Sequence, residues 1–180
     1  SQVNTFNNVN ISNWDTSLIT DMSEIFKLQS SFDEDISGWD VSNVNNFNEM
    51  FKGAISFNKN LDNWILNSSN SITMNSMFDG AISFNGSINN WNVDNVTEMN
   101  SMFWRANNFN KPINNWNVSG VQSMNGMFGH ANSFNQDLSN WTLNPNCDII
   151  NIFSYSTSLS EENRSNFASN VDETIYVSSG

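Results

Sequence analysis

His130 and Cys147 are the only histidine and the only cysteine of the chain. A thiol beside an imidazole would be a nucleophile with its base. The same two side chains would also begin a zinc site. Neither set is complete. No other Cys or His exists to fill a tetrahedral metal shell, and nothing in the spacing pairs the two. His130 stands two residues after Phe128, in a position filled elsewhere by Leu28, Gly53, Gly80, Arg105 and Tyr155. So variable a position is expected to be an exposed helix position. Cys147 is expected to be a small, partly buried hydrophobe. Carboxylates offer more: "FDEDISGWD" gathers Asp33, Glu34, Asp35 and Asp40. Paired carboxylates hydrolyse glycosides, and clusters of oxygen ligands bind calcium. The spacing departs from a D-x-D-x-D-G loop. Asp33, Asp35 and Asp40 are therefore candidate calcium ligands set against the plainer expectation of a solvated acidic edge. There is no G-x-S-x-G, phosphate loop or zinc motif. Neither enzyme activity nor a resident cofactor is expected.

The whole chain narrows the partners. It has 180 residues, six Lys and Arg, a net charge of -12 and a pI near 4.1. Nucleic-acid affinity comes mainly from basic groups that release counterions, so a nucleic-acid partner is excluded, and an anionic membrane surface is disfavoured. No run approaches the ~18 apolar residues of a membrane span. Asn and Ser are abundant, a bias that can signal disorder. Disordered chains lack aromatics, however, and this one has 14 Phe and 7 Trp.

Those aromatics are strictly placed. Trp14, Trp39, Trp64, Trp91, Trp116 and Trp141 are 25, 25, 27, 25 and 25 residues apart. Phe57, Phe84, Phe109 and Phe134 stand seven residues before a Trp, each followed by Asn: Asn58, Asn85, Asn110 and Asn135. A second Phe column is preceded by Met pairs, as in Met74/Met77, Met99/Met102 and Met124/Met127. The unit reads W-x-V-x-x-V-x-x-M-x-x-M-F-x-x-A-x-x-F-N-x-x-L-x-x-W. The third copy carries two extra residues between Leu66 and Met74.

Such a period marks a repeat protein whose units fold only by stacking. Trp-x-Val has the period of a short strand. M-x-x-M-F-x-x-A has the spacing of a helical turn, with Thr20, Asn45 and Thr97 where an N-cap belongs. The expected fold is therefore an α/β solenoid, leucine-rich-repeat-like, of about six 25-residue coils. Each coil would hold a short strand in a parallel sheet and a short helical segment. The Trp and Phe columns would be core. The Asn that follows Phe would form a ladder, its amide bridging backbone groups in the buried turn of the next coil. Residues 1–13 would be a partial repeat or N-terminal cap, with Phe6 one residue out of phase. Residues 14–157 would be the solenoid and 158–180 a C-terminal cap. In that cap Ser160 would start a helix, Phe167 and Val171 would share one face, and Thr174–Val177 would form a last strand.

"VTEMNSMFWRANNFNKPINNWNVSGVQSMNGMFGHANSFNQDLSNWTL" resembles the BspA-like leucine-rich-repeat surface proteins, specifically the 25-residue variety first described as a mycoplasma domain of unknown function. The resemblance runs roughly from Phe6 to Leu159. It implies a solenoid on a cell-surface or secreted protein, with adhesion as the role and no catalytic residues.

The residues flanking each Trp would then line the exposed strand face. Asp15, Asp40, Asn63, Asn90, Asn92, Asn115 and Asn117 make that row rich in amides and carboxylates, which suit sugar hydroxyls. Trp104 lies outside the columns and is a candidate anchor for a partner, or else packs over a neighbouring helix. The expected function is a non-enzymatic recognition or adhesion module binding a surface protein or a glycan. The alternative is a structural spacer without a ligand. A monomer is expected, with end-to-end association as the variant.

Overall fold

A computed structural model describes residues 10–67 and 69–171 of the chain. Phe6, most of the expected N-terminal cap and the expected strand Thr174–Val177 lie outside the described residues. The described chain is mostly turns and loops. Its regular elements are a 3-10 turn at Ile11–Asn13, two short strands and one helix. The strands are β1 (Ile72–Thr73) and β2 (Val96–Glu98), paired in parallel; the helix is α1 (Glu161–Ala168). The expected leucine-rich-repeat-like solenoid of six strand-plus-helix coils does not form.

Both halves of that expectation fail for local reasons. At the Trp-x-Val segment, Asx side chains bend the chain where a strand would extend. Asp40 Oδ1 accepts the Ser42 N–H (2.9 Å), and Asp15 Oδ1 accepts the Ser17 N–H (3.1 Å). A side chain that bonds the backbone two residues on offers it an alternative to a sheet ladder. At M-x-x-M-F-x-x-A the chain makes consecutive turns. Left-handed residues recur four apart, as in Glu49/Gly53, Ser76/Gly80, Ser101/Arg105 and Gly126/His130. Positive φ is incompatible with a continuing α-helix.

The N–H groups that a helix would keep go instead to the following repeat. Met22, Glu24 and Phe26 donate to the carbonyls of Asn46, Asn48 and Met50 at 2.9–3.0 Å. The expected helix caps are part of the same system. Asn45 N donates to Thr20 O and Gln122 N to Thr97 O, so these residues join repeats and cap nothing.

The repeats are in register. One line of parallel bridges runs Asp21, Asn46, Thr73, Glu98, Ser123, Asp148. Every bridge residue directly precedes the first residue of a Met-column pair, far from the Trp-x-Val segment where strands were expected. The extra residues of the third repeat are absorbed in a surface turn, where Asn67 Oδ1 accepts from the N–H groups of Ser69 (2.8 Å) and Asn70 (3.0 Å).

Inside, like stacks on like. Phe78 and Phe103 are 5.6 Å apart and nearly parallel, as are Trp91 and Trp116 at 6.1 Å. Phe57, Phe84, Phe109 and Phe134 are fully buried, and Trp39 to Trp141 are buried. Trp14 differs: it is 47 % exposed, although it stacks on Trp39. A buried indole N–H needs an acceptor. Trp39, Trp64, Trp91, Trp116 and Trp141 each donate Nε1 to the Ile or Leu carbonyl of the preceding repeat, at 2.8–3.1 Å.

Helix α1 closes this stack. Ser160 caps it by accepting from Asn163 N. Phe167 packs edge-on against Phe153, and Val171 packs against the core. Asn170 Nδ2 donates to the Leu138 carbonyl (3.3 Å). That is the acceptor which a further Trp would use.

Candidate functional site

Asn and Asp side chains tie the repeats together along two edges. On the first, Asp33, Asn58, Asn85, Asn110 and Asn135 each accept through Oδ1 from the equivalent N–H one repeat later, at 2.8–3.0 Å, ending on Ser160 N. This ladder runs along the surface; Asn58, Asn110 and Asn135 are exposed. A second ladder, Asn48, Asn75, Asn100 and Asn125, runs half-buried beside the Met column. Sequence reasoning missed it, although its signal was visible as the Asn that follows the first residue of each pair.

Where the first and second repeats meet, these fixed side chains line a groove of about 470 Å³: Asp35, Ser37, Asn58, Lys59, Asn60, Asp62 and Asn63. Asn63 also belongs to a neighbouring hollow of about 300 Å³ lined by Trp39, Asp40, Val41, Ser42 and Ile65. The backbone behind Lys59 is close-packed against the third repeat. A Cβ at Gly86 would lie 2.0 Å from the Lys59 carbonyl oxygen, so only glycine fits beneath Lys59.

The polar walls are held by backbone bonds. Asp35 Oδ1 accepts from Ser37 N (3.0 Å), Asn60 Oδ1 from Ser87 N (2.9 Å) and Asp62 Oδ1 from Asn90 N (3.2 Å). The Oδ2 atom of Asp62 makes no hydrogen bond among the described residues. The Ser37 N–H, then its hydroxyl, then the Lys59 charge hold the Asp35 carboxyl below the usual range. Asp40 is lowered chiefly by Ser42. The groove and the hollow beside it thus present ionised acceptors, amides and the exposed side chain of Ile65.

The other expected site residues fall as follows. Asp33 is occupied by Asn58 N (2.9 Å) and Lys59 Nζ (2.8 Å), while Asp35 and Asp40 each hold their own turn. No group of three His, Cys, Asp or Glu that could hold a metal occurs among the described residues. The row meant for a strand face sits in turns. Asn92 Oδ1 accepts from Asp94 N, and Asn117 accepts from Ser119 and donates to Asp94. Asn63, Asn90 and Asn115 are exposed one residue before a Trp. Of that row only Asn63 lines the groove, and Asp40 joins it in the neighbouring hollow.

Trp104 lies across the next repeat: a Cβ at Gly129 would meet its ring at 2.1 Å, and one at Gly126 at 3.1 Å. His130 is half-buried. It occupies a left-handed turn position, where a solvent-facing helix residue was expected. Burial and the Asp148 charge push the Cys147 thiol up to about 11, the state of an inert, packed cysteine.

No curated protein and no solved structure matches the chain. A family described as Mycoplasma protein of unknown function, DUF285, matches residues 1–72 and 65–167. Two consecutive matches over nearly the whole sequence agree with the repeated columns, and the chain belongs to that family.

Proposed function

We propose that this protein is a non-enzymatic recognition module, displayed on a cell surface or secreted, that binds a glycan in the groove between Asp35 and Ile65. In this reading it is a BspA-like adhesion protein whose repeats stack through turns. The groove carries the proposal. Sugar hydroxyls both donate and accept, and the groove offers carboxylate oxygens and amides to meet them, with Ile65 as an apolar contact for a ring face. Binding is favoured over hydrolysis by the state of its carboxylates. A glycosidase needs a general acid with a raised pKa, whereas Asp35 and Asp40 are held ionised.

No metal is needed for this binding, so chelation is expected to leave it unchanged. The competing idea of a ligand-free spacer draws on the uniform register, but it gives no reason for an exposed Ile65 beside Asp40 and Asn63. A glycan array supplies the test. A neutral glycan that binds the wild type and is lost with Asn63→Ala and Asp35→Asn supports the groove. Absence of any neutral glycan ligand, with cell attachment unaffected by the two substitutions, overturns it.

A further inference from the structure

We infer that Trp104, Arg105, His130 and Tyr155 form a second binding site, built for a sugar that carries a carboxylate. The site rests on the recognition reading above but uses none of the groove residues.

The first observation is the column itself. Gly53, Gly80, Arg105, His130 and Tyr155 occupy equivalent left-handed positions in successive repeats, with φ between 56 and 69°. Glycine suits that backbone and stands there in the second and third repeats. In the next three, large side chains take the same strained conformation. A non-glycine residue held at positive φ is a reason to look for function.

The second observation is how the side chains are arranged. Trp104 lies flat on the next repeat, in space that Gly126 and Gly129 leave open. His130 meets Trp104 edge-on at 5.1 Å and stacks on Tyr155 at 4.7 Å, with 16° between the planes. Asn107, with its amide nitrogen turned inward, donates to the carbonyls of Arg105 (3.2 Å) and His130 (3.0 Å), fixing both backbones. Tyr155 remains 65 % exposed, and Trp104 and His130 remain half-exposed. A platform of rings on a polar surface is the wall on which the C–H face of a pyranose stacks.

The third observation is charge. In a chain of net charge -12, Lys27, Lys52 and Lys59 are all neutralised by carboxylates. Arg105 is exposed and, like Lys111 and Arg164, forms no ion pair among the described residues; of these three it alone stands in the left-handed column with His130 and Tyr155. A guanidinium presents paired N–H donors that match a carboxylate in a two-point contact. Rings for the sugar face and the unpaired Arg105 of the same column for the acid select a sialic- or uronic-acid type of ligand over a neutral one.

His130 supplies its own reporter, because the imidazole signals of this protein come from one residue. The experiment titrates the full chain with sialyllactose and, separately, with lactose, following the His130 ring protons by NMR and the affinity by calorimetry. Sialyllactose is expected to shift the His130 signals saturably. Arg105→Gln and Tyr155→Ala, both at exposed positions, should each weaken binding about tenfold or more while leaving the melting temperature near that of the wild type. Lactose should bind at least about tenfold more weakly.

Equal binding of lactose, no shift of His130, or wild-type affinity in Arg105→Gln overturns the inference. So does loss of sialyllactose binding in Asp35→Asn, since the ligand would then lie in the groove. Failure of the groove alone looks different: neutral glycans do not bind, while the sialyllactose response and its Arg105 dependence persist.

Discussion

Asparagine does structural work at almost every turn of this chain, and what each Asn is worth depends on how wet its surroundings are. Asn100 is half-buried and accepts from Asn125 N (2.9 Å) and from the Ser123 hydroxyl. Asn110 is exposed and accepts from Asn135 N (2.9 Å) and Gln136 Nε2. Removing a partner costs most where water cannot replace it. Asn100→Ala should therefore lose about 1–3 kcal/mol in urea unfolding and Asn110→Ala about 0.5–1 kcal/mol. Equal losses would contradict the burial argument. Aspartates in the Asx turns add a pH dependence. Asp15 is lowered first by the Ser17 hydroxyl and then by its N–H, whereas Asp137 is lowered first by the Ser139 N–H and then by its hydroxyl. Ser17→Ala and Ser139→Ala each remove a hydroxyl bond to the carboxylate, so each should raise the pKa of its aspartate toward the ordinary value, read by carboxyl NMR titration. The folded chain holds these protons less tightly than the unfolded chain does. Their contribution to stability is complete above the ordinary aspartate range and is lost as pH falls through the folded-state values. Much at this scale was legible. The Asn after Phe pointed to a ladder, although it runs along the surface and not in the buried turn expected, and the Trp and Phe columns pointed to the core. His130 was not legible, because its surroundings come from Trp104 and Tyr155 one repeat to either side.

Within the repeat, the sequence fits two structures equally well until backbone sterics are counted. Apolar spacings of three and four suit one face of a helix. They also suit consecutive turns in which Met, Phe and Ala point inward and left-handed residues fall between them. The evidence against a helix was modest: Gly53, Gly80 and Gly126 at those in-between positions. It was diluted by Glu, Leu, Arg and His in other copies. Likewise Trp-x-Val has a strand's period, but the Asx side chain beside the Trp turns the chain. The decisive energy lies between repeats, where each donated N–H serves a neighbour, and a single unit's periodicity carries little trace of it. Close approach of repeats can be tested at glycine. A Cβ at Gly86 would strike the Lys59 carbonyl carbon and oxygen, which are backbone and cannot rotate away. At Gly38 a Cβ meets nothing within 4 Å. Gly86→Ala should lose about 2–4 kcal/mol, while Gly38→Ala should stay within about 0.5 kcal/mol of the wild type by thermal and urea unfolding. A neutral Gly86→Ala would mean that the second and third repeats sit farther apart than described.

Across the whole molecule, each repeat is held by its neighbours: bridges, indole N–H bonds, aromatic stacks and two Asn ladders all connect residues about one repeat apart. Stability should then depend on phase more than on total length. Deleting Asn92–Trp116 removes one full unit and joins Trp91 to Asn117, so Thr73 meets Ser123 at the spacing it now has to Glu98. The Trp and Phe columns close over the gap without changing residue type. This shortened chain should unfold in one transition, with the urea m-value lower by about one-sixth, because one of about six units no longer contributes buried surface. Deleting only Asn92–Phe103 removes half a unit, setting Met and Trp columns against Asn and Ser positions. The turn at Asn67 absorbs two extra residues at the surface, but half a unit exceeds what such a turn can take up. That chain should show no cooperative transition and no dispersed Trp indole N–H signals. If the half-unit deletion folds as well as the full-unit deletion, the columns are not what holds the repeats in register, and the hydrogen-bonded turns alone must suffice.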